Sequence, residues 1–257
     1  MNDRLYFRQL LSGTDFAKED QMAHQMVNFV YLIGDLQTRE CIIVDPAYAV
    51  NEIAEIVEVD DMNLVGALGT HYHPDHVGGK MMGWNIEGIS SLLERKEIPI
   101  HIQQSEMEWV TKTTGVSSNQ LTTHVGGDVV HVGEIAITLL HTPGHTPGSQ
   151  CFLVDGNLVS GDTLFLEGCG RTDLPGSNPD DMYDSLNMLA SLPSDTIVYP
   201  GHRYSDPAGA PDSGAASTSS ATDGSRTRSN RERCLTPIKR HTRRRSHCGR
   251  TPGPAGV

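Results

Sequence analysis

The first hundred residues alternate short apolar runs with stretches of helical periodicity. The runs are rich in β-branched residues and bounded by turn residues, as strands are, whereas Ile53, Ile56 and Val57 recur at helical spacing. These patterns predict strands at 28–35, 40–46, 63–70 and 98–102, and helices at 51–62, 88–97 and 105–115. The first two strands are expected to form a hairpin. Ser105 and Glu108 fit a capping box at the start of the last helix.

Short strands dominate from residue 123 onward. Three strand-forming tracts begin at residues 128, 135 and 149, and the last of them contains a hairpin turn at 155–157. A helix is predicted at 179–192, where Pro and Asp suit the first turn, and a strand at 195–202. Two strand-rich halves with helices between them predict an α+β fold, an αββα sandwich of two mixed sheets flanked by helices.

The chain changes character at Ser205. A small, polar stretch is followed by a basic one, and ten of the 20 Lys and Arg residues lie between Arg226 and Arg250. Residues 205–257 contain no aromatic residue and too few aliphatic ones to repay the entropy of ordering. We therefore expect one folded catalytic domain at 1–204 and a disordered, basic, low-complexity tail at 205–257.

The net charge of −12 conceals an acidic body, because residues 1–204 carry 28 acidic and 10 basic residues. Such a body argues against nucleic-acid binding except through the tail. No apolar run reaches the roughly 18 residues of a membrane span. The first 20 residues lack the apolar region of a signal peptide. The expectation is a cytoplasmic protein without membrane partners.

The cysteine content agrees with a reducing compartment. The five cysteines show no CxxC spacing, and their number is odd. Cys41 and Cys151 lie in apolar runs and are interpreted as core residues. Cys169 lies in a Gly-rich loop, and we favour a structural or incidental role for it.

The segment GTHYHPDHVGG at 69–79 concentrates ligand-type side chains. His71, His73, Asp75 and His76 fall within six positions, directly after a predicted buried strand. Imidazole groups this close together repel one another when protonated, and imidazole and carboxylate groups alike waste hydrogen-bonding capacity unless something binds them. A metal ion is the obvious candidate.

Later strand ends supply further ligand types beside Gly or Pro. These are His141, His145, Asp162 and His202. Loops at the ends of rigid strands commonly place functional groups, so these residues are expected to join the cluster. Spacing alone does not choose between the first two. A lone histidine is more often a surface or hydrogen-bonded core residue, and this class is assigned to His24, His101, His124 and His131.

The motifs HxHxDH, HTPGHTPG, SGDTLF and PGH, in that order, resemble those of the metallo-β-lactamase superfamily over roughly residues 25–204. The segments GCGRTDLPG and PGHRY are most similar to the glyoxalase II (hydroxyacylglutathione hydrolase) branch and to its relatives, the persulfide dioxygenases. The resemblance implies the αββα fold, with the active site at one edge of the sandwich.

The resemblance also implies a division of the metal ligands. One ion would be held by His71, His73 and His145, the second by Asp75, His76 and His202, and Asp162 would bridge them. His141 would not be a ligand. The implied cofactor is a pair of divalent ions, with Zn²⁺ as the first choice and Fe²⁺ or Mn²⁺ as alternatives according to availability.

Two ions in such a site lower the pKa of a bridging water and produce hydroxide at neutral pH. The expected reaction is attack of this hydroxide on the carbonyl carbon of a small thioester, because a thiolate leaves without a proton donor. Asp75 and Asp162 are the predicted catalytic carboxylates, which stay ionised beside the metal ions.

Two residues match substrate-contacting positions of the glyoxalase II branch. Arg171 follows GCG and Tyr204 follows PGH, and both would contact a glutathione-linked substrate. The alternative for Arg171 is a salt bridge within its loop, with Asp173 as partner. The branch also carries a C-terminal helical domain, in whose place this chain has the basic tail.

Two other functions remain open. A mononuclear Fe(II) persulfide dioxygenase would use His71, His145 and Asp162, a two-His, one-carboxylate set. The GRTD segment fits that branch, which typically has GRTDF. This chain has Leu174 in place of the Phe, and PGH where the dioxygenases often have PAH. An RNA-associated or scaffold protein is the third possibility, which the tail favours and the acidic body opposes. The oligomeric state is not predicted.

Overall fold

The computed structural model describes residues 2–204, and the predicted tail lies outside this range. The strands of the first half are β1 (Leu5–Leu11), β2 (Phe29–Asp35), β3 (Glu40–Val44), β4 (Asn63–Leu68), β5 (Gly79–Met81), β6 (Trp84–Ile86), β7 (Ile100–Gln103) and β8 (Leu121–His124). Those of the second half are β9 (Val129–Val132), β10 (Ile135–His141), β11 (Gln150–Val154), β12 (Asn157–Gly161), β13 (Leu164–Phe165), β14 (Gly168–Cys169) and β15 (Ile197–Pro200). The α-helices are α1 (Gln21–Met26), α2 (Val50–Val59), α3 (Pro74–Val77), α4 (Ile89–Arg95), α5 (Met107–Thr114) and α6 (Pro179–Ala190).

Two mixed sheets form the centre of the fold. The first has six strands in the order β1-β2-β3-β4-β7-β8, antiparallel from β1 to β3 and parallel from β3 to β8. The second has five strands in the order β15-β12-β11-β10-β9. Its strands are antiparallel except for the β12–β15 pair, so β10, β12 and β15 run in the same direction.

Strand β2 shows how the layers pack. All seven of its residues are buried, because one face of the strand contacts helices and the other contacts the second sheet. Val30 and Leu32 belong to the core that includes Ile53 of α2. Phe29 and Tyr31 belong to the core between the two sheets. The alternation follows from the period of two in a strand, and both faces are apolar because both are covered.

Helix α6 covers the outer face of the second sheet, where Leu189 packs against Cys151 and Leu158. This completes the order helix, sheet, sheet, helix and confirms the predicted αββα sandwich. The hairpin turn between β11 and β12 is also confirmed, since Asp155 and Gly156 both have positive φ. Cys41 and Cys151 are buried as predicted, and Cys169 is exposed.

The prediction of a capping box at Ser105 was wrong. A 3₁₀ turn, Gln104–Glu106, precedes α5, which begins at Met107 without a side-chain cap. The Ser105 hydroxyl instead donates to the carbonyl oxygen of Pro147, at 3.2 Å. The turn directs the Glu106 carboxylate into the protein, and this tertiary requirement overrides the local capping signal.

Strand β1 and helix α1 were not predicted. Strand β1 pairs with β2 along its whole length, so the first sheet begins before the segment that carries the motifs. None of the helices in residues 2–204 has the length and apolar character that a membrane crossing requires.

Candidate metal centre

The seven predicted metal ligands converge at one edge of the sandwich. His71 and His73 follow β4, and Asp75 and His76 lie in or at the start of the short helix α3. The other three follow β10, β12 and β15, and are His145, Asp162 and His202. Because these three strands run in one direction, their carboxyl ends deliver side chains to the same edge. These residues lie up to 131 positions apart in the sequence, and the fold brings them together.

The first group contains three imidazole nitrogens. His73 Nδ1 lies 2.9 Å from His71 Nε2 and 3.1 Å from His145 Nε2. His71 and His145 are buried, and His73 is half-buried. Donor atoms this close surround a point that a single cation could occupy.

The second group contains two imidazole nitrogens and a carboxylate. His76 Nε2 and His202 Nε2 are 3.1 Å apart. Asp75 Oδ2 lies 3.6 Å from the first of these nitrogens and 3.4 Å from the second. All three side chains are buried.

Asp162 lies between the two groups and directs one oxygen to each. Its Oδ1 is 3.4 Å from both His76 Nε2 and His202 Nε2. Its Oδ2 is 3.6 Å from His145 Nε2, in the first group. This placement is compatible with the bridging role that the family resemblance implies for Asp162, and that role stays a prediction.

In four of these histidines, the ring nitrogen that faces away from the centre forms a hydrogen bond to an oxygen. His145 Nδ1 donates to the carbonyl oxygen of Arg171 at 2.9 Å, and His202 Nδ1 donates to that of Met26 at 2.7 Å. His76 Nδ1 donates to Asp45 Oδ2 at 2.8 Å, and His71 Nδ1 donates to Thr70 Oγ1 at 3.0 Å. In a neutral imidazole, the nitrogen that donates carries the proton and the other carries a lone pair, so these rings are oriented to offer Nε2 to a cation. Ligand histidines in metalloproteins are oriented in this way.

Two further observations fit cations at this edge. Asp162 Oδ1 is buried and has no hydrogen-bond partner within the described residues, which is costly for a carboxylate unless a positive charge faces it. Burial lowers the pKa of His76, yet three neighbouring carboxylates outweigh burial and raise that pKa to about 10. The centre therefore combines converging lone pairs with a strongly negative potential, and the donor set suits divalent ions of intermediate softness.

Asp45 supports both donor groups and was not predicted from the sequence. Its Oδ1 accepts from the backbone N–H of Thr70 at 2.7 Å, and its Oδ2 accepts from the hydroxyl of Thr70 and from His76. Asp45 therefore fixes both Thr70, the residue directly before His71, and the orientation of the His76 ring. Its position at the end of β3, beside Pro46, is the same signal that identified the ligands.

Glu106 connects the two loops that carry the first group. Its carboxylate accepts from the backbone N–H of Tyr72 at 3.0 Å and of Gly148 at 2.7 Å, and from the Thr146 hydroxyl at 2.5 Å. Burial raises the pKa of Glu106 to about 7, against the effect of these hydrogen bonds. Nothing in its local sequence indicated this role, since its partners lie more than 30 positions away.

The predicted substrate contacts lie at the rim of the centre. The Arg171 guanidinium is exposed and forms a two-bond ion pair with Asp173, both N–O distances being 2.9 Å. This is the salt bridge predicted as the alternative role of Arg171. Its backbone carbonyl orients His145. The exposed Tyr204 ring stacks on His202 with centroids 4.4 Å apart. A substrate role for either side chain stays a prediction.

The histidines assigned to ordinary roles lie outside the donor groups. His141 Nε2 donates to the carbonyl oxygen of Pro147 at 3.0 Å. His101 and His124 form a pair with 2.9 Å between Nδ1 and Nε2, and His24 bonds to the Lys18 carbonyl. His131 is exposed on β9.

Comparison with known proteins identifies the family. The profile of the Metallo-beta-lactamase superfamily matches residues 25–202, and the chain belongs to this superfamily. The probable polyketide biosynthesis zinc-dependent hydrolase BaeB of Bacillus velezensis is 32% identical over 188 residues, which cover 72% of this chain and 78% of that protein. Relatives thus include metal-dependent hydrolases, as the sequence motifs predicted.

Two other relatives represent the branches named from the motifs. The hydroxyacylglutathione hydrolase of Aeromonas salmonicida is 32% identical, covering 69% of this chain and 61% of its own length. The mitochondrial persulfide dioxygenase ETHE1 of Mus musculus is 27% identical, covering 77% and 72%. The crystal structure of ETHE1 from Myxococcus xanthus superimposes with a TM-score of 0.61 at 31% identity, covering 77% of this chain and 76% of the other.

Proposed function

We propose that this protein is a dinuclear metal-dependent hydrolase that cleaves a small thioester. The observation that supports this most directly is the position of Asp162. One of its oxygens faces each donor group, and the oxygen toward the second group has no other partner within the described residues. A carboxylate placed in this way matches a pair of ions better than a single one.

The residues of the centre have distinct roles in this proposal. His71, His73 and His145 hold the first ion, Asp75, His76 and His202 hold the second, and Asp162 bridges them. Bound at these positions, the ions supply Lewis acidity and a hydroxide at neutral pH. The chain orients four of these imidazoles by a hydrogen bond from the opposite ring nitrogen to an oxygen, and Asp75 and Asp162 supply the carboxylate oxygens.

The proposed substrate class follows from the chemistry of the leaving group. The roles assigned above give no side chain of the centre the task of protonating a leaving group. A thiolate leaves as an anion, so a thioester suits this site. Arg171 and Tyr204, at the rim, are proposed to contact the thiol carrier, and a glutathione-linked carrier is the first to test. Zn²⁺ is the proposed metal, with Fe²⁺ or Mn²⁺ as alternatives.

A mononuclear Fe(II) persulfide dioxygenase is the second candidate. It is favoured by the similarity to ETHE1 and by the proximity of His145 to Asp162, which with His71 gives a two-His, one-carboxylate set. In that case the second donor group would not be needed for activity.

Elemental analysis of the purified protein, together with His73→Ala and His202→Ala, separates the two functions. The hydrolase should contain about two ions per chain, and each variant should lose metal and about 10³-fold or more in thioester hydrolysis, because metal assistance is worth several kcal/mol. His131→Ala, an exposed histidine outside the centre, is the control and should behave like the unaltered protein.

The dioxygenase has a different signature. One iron per chain, oxygen uptake with glutathione persulfide, and activity that survives His202→Ala would contradict the hydrolase. Thioester hydrolysis that survives His73→Ala would contradict it as well.

A further inference from the structure

A residue outside the predicted set directs its side chain into the second donor group. Asn28 precedes β2 and is 1% exposed. The nitrogen of its amide lies 3.2 Å from Asp75 Oδ2 and 3.4 Å from both His76 Nε2 and His202 Nε2. The amide therefore contacts all three donors of the second group at once.

The four atoms form a nearly regular tetrahedron. The three edges among the donors measure 3.1, 3.4 and 3.6 Å. The three edges to the amide of Asn28 measure 3.2 to 3.4 Å. Four ligands placed tetrahedrally around an ion at about 2.0–2.1 Å are separated by about 3.3–3.4 Å. The end of the Asn28 amide thus stands at the fourth corner of a metal-sized tetrahedron.

An asparagine amide can present either of its ends. Rotation by half a turn about the last bond of the side chain exchanges the NH₂ group, a donor, with the oxygen, an acceptor. The Tyr48 hydroxyl, 2.9 Å from Asn28 Oδ1, serves both orientations, since a hydroxyl can donate to the oxygen or accept from the nitrogen. A cation inside the tetrahedron would meet amide hydrogens in one orientation and a ligand oxygen in the other.

The geometry points to Asn28 as a further ligand of the second metal ion, through Oδ1, with its NH₂ group donating to Tyr48. This inference rests on the proposed dinuclear function and specifies its second site. With Asp75, Asp162 and Asn28, that site has three oxygen ligands beside two imidazoles. The first site has three imidazoles and one carboxylate. The second site should therefore favour ions that prefer oxygen, such as Mn²⁺, more than the first site does.

A positioning role is the competing explanation. In that role the NH₂ group donates to Asp75 Oδ2 and holds the carboxylate without touching the ion. The two roles make opposite demands on a substituted side chain. Asn28→Asp keeps an oxygen that can bind a metal but removes the donor, and it adds a negative charge beside Asp75. Asn28→Ala removes both functions.

The experiment measures ion affinities of the full chain, stripped of metal and titrated with Zn²⁺ against a competing chelator. We expect two ions for the unaltered protein, a second-ion Kd raised by about 10- to 100-fold in Asn28→Ala, and an equal or lower Kd in Asn28→Asp. The first-ion Kd should remain unchanged in both variants. A second-ion Kd in Asn28→Asp raised as far as in Asn28→Ala would overturn the ligand role while leaving the dinuclear function intact.

A second titration keeps the test decisive if Asn28→Asp does not fold, which circular dichroism would reveal. Loss of an oxygen ligand in Asn28→Ala should raise the second-ion Kd for Mn²⁺ more than that for Zn²⁺. Equal losses for the two metals would overturn the ligand role. A single ion in the unaltered protein would overturn both this inference and the dinuclear hydrolase, so the two failures are distinguishable.

Discussion

At the scale of single residues, the centre depends on side chains that no metal ion would touch. Glu106 accepts three hydrogen bonds from the loops on either side of the first donor group. Asp45 orients His76 and the segment that leads to His71. Such supporting residues fix ligand geometry, and their loss in other proteins weakens metal binding by about 10- to 100-fold.

The titration of Glu106 should be visible in the stability of the protein. Burial raises its pKa to about 7, from an ordinary value of 4.5. Between these values the folded protein binds more protons than the unfolded one, so the free energy of unfolding should fall as pH rises from about 4.5 to about 7. The fall attributable to Glu106 is on the order of 3 kcal/mol.

The measurement compares the unaltered protein with Glu106→Gln, which does not titrate, by urea unfolding in the presence of a chelator. The difference between the two free energies of unfolding should decline across this pH window and remain constant above it. A difference that does not vary with pH would mean that the three hydrogen bonds keep Glu106 ionised throughout.

The predictability of individual residues depended on where their partners lie in the sequence. The donor histidines could be found because motif and strand end coincide. Asn28 and Glu106 could not, since their contacts join positions from 20 to 174 residues apart. Asp45, at a strand end beside Pro46, carried a usable signal. The Arg171–Asp173 pair, two residues apart, was foreseen as an alternative.

At the scale of elements, helix α6 fixes the loop that carries His145. The backbone N–H of Asn178 donates to Gly144 O at 2.8 Å, and the Ser185 hydroxyl donates to Pro143 O at 2.6 Å. Gly144 has φ +137°, and a Cβ at this position would lie 2.4 Å from the backbone of Met182. Only glycine allows the loop and helix to approach this closely.

Gly144→Ala should therefore displace the loop from α6. We expect a loss of about 3 kcal/mol or more in the free energy of unfolding, from crowding and backbone strain together. The first metal ion should also bind more weakly. The matched control is Gly156→Ala, where φ is also positive, at +77°, but no heavy atom lies within 4 Å.

The control should lose only about 1–2 kcal/mol in the free energy of unfolding, because alanine is strained at a positive φ, and it should bind metal normally. Denaturant unfolding and a Zn²⁺ titration measure both quantities. Equal losses in the two variants would show that crowding against Met182 has no role.

Elements whose pattern is local were predicted well. The β2–β3 hairpin, helices α2 and α6, and the turn at Asp155 and Gly156 all follow from periodicity and turn residues. The predicted start of α5 was wrong because the turn before the helix directs the Glu106 carboxylate into the protein. Strand β1 has an irregular pattern, and it is a strand because β2 provides a partner for every residue.

At the scale of the whole molecule, the metal centre joins the two sheets. His71 through His76 come from the end of a strand in the first sheet, whereas His145, Asp162 and His202 come from the second. Each proposed ion would therefore crosslink the halves of the sandwich, and its binding energy adds to the stability of the folded state.

Removal of metal should lower the thermal midpoint. An ion present at 100 times its Kd contributes about 2.7 kcal/mol, and 1 kcal/mol corresponds to roughly 2–4 °C in a domain of this size, so a chelator should lower the midpoint by about 5–10 °C per ion. Calorimetry with and without chelator measures the shift. The double variant His71→Ala, His202→Ala should show none, and an unaltered protein insensitive to chelator would contradict the crosslink.

The αββα architecture was predictable because the alternating strand and helix patterns suggested it and the resemblance to the metallo-β-lactamase superfamily implied it. The pairing of strands was not, because strand order depends on contacts between distant segments, such as β12 with β15. The division into a domain at 1–204 and a tail stays a prediction.

The order of the donors along the chain has a consequence for biosynthesis. The first group and its bridge are available once Asp162 has been made, whereas the second group lacks a donor until His202 emerges behind β15, the last strand that the structure describes. Synthesis proceeds from the N-terminus, and domains fold as they emerge. In a ribosome-bound chain arrested between these two points, the second ion would lack one of its two imidazole ligands and should bind more weakly than in the finished chain. The second site would thus reach its full affinity only after the last described strand has been made.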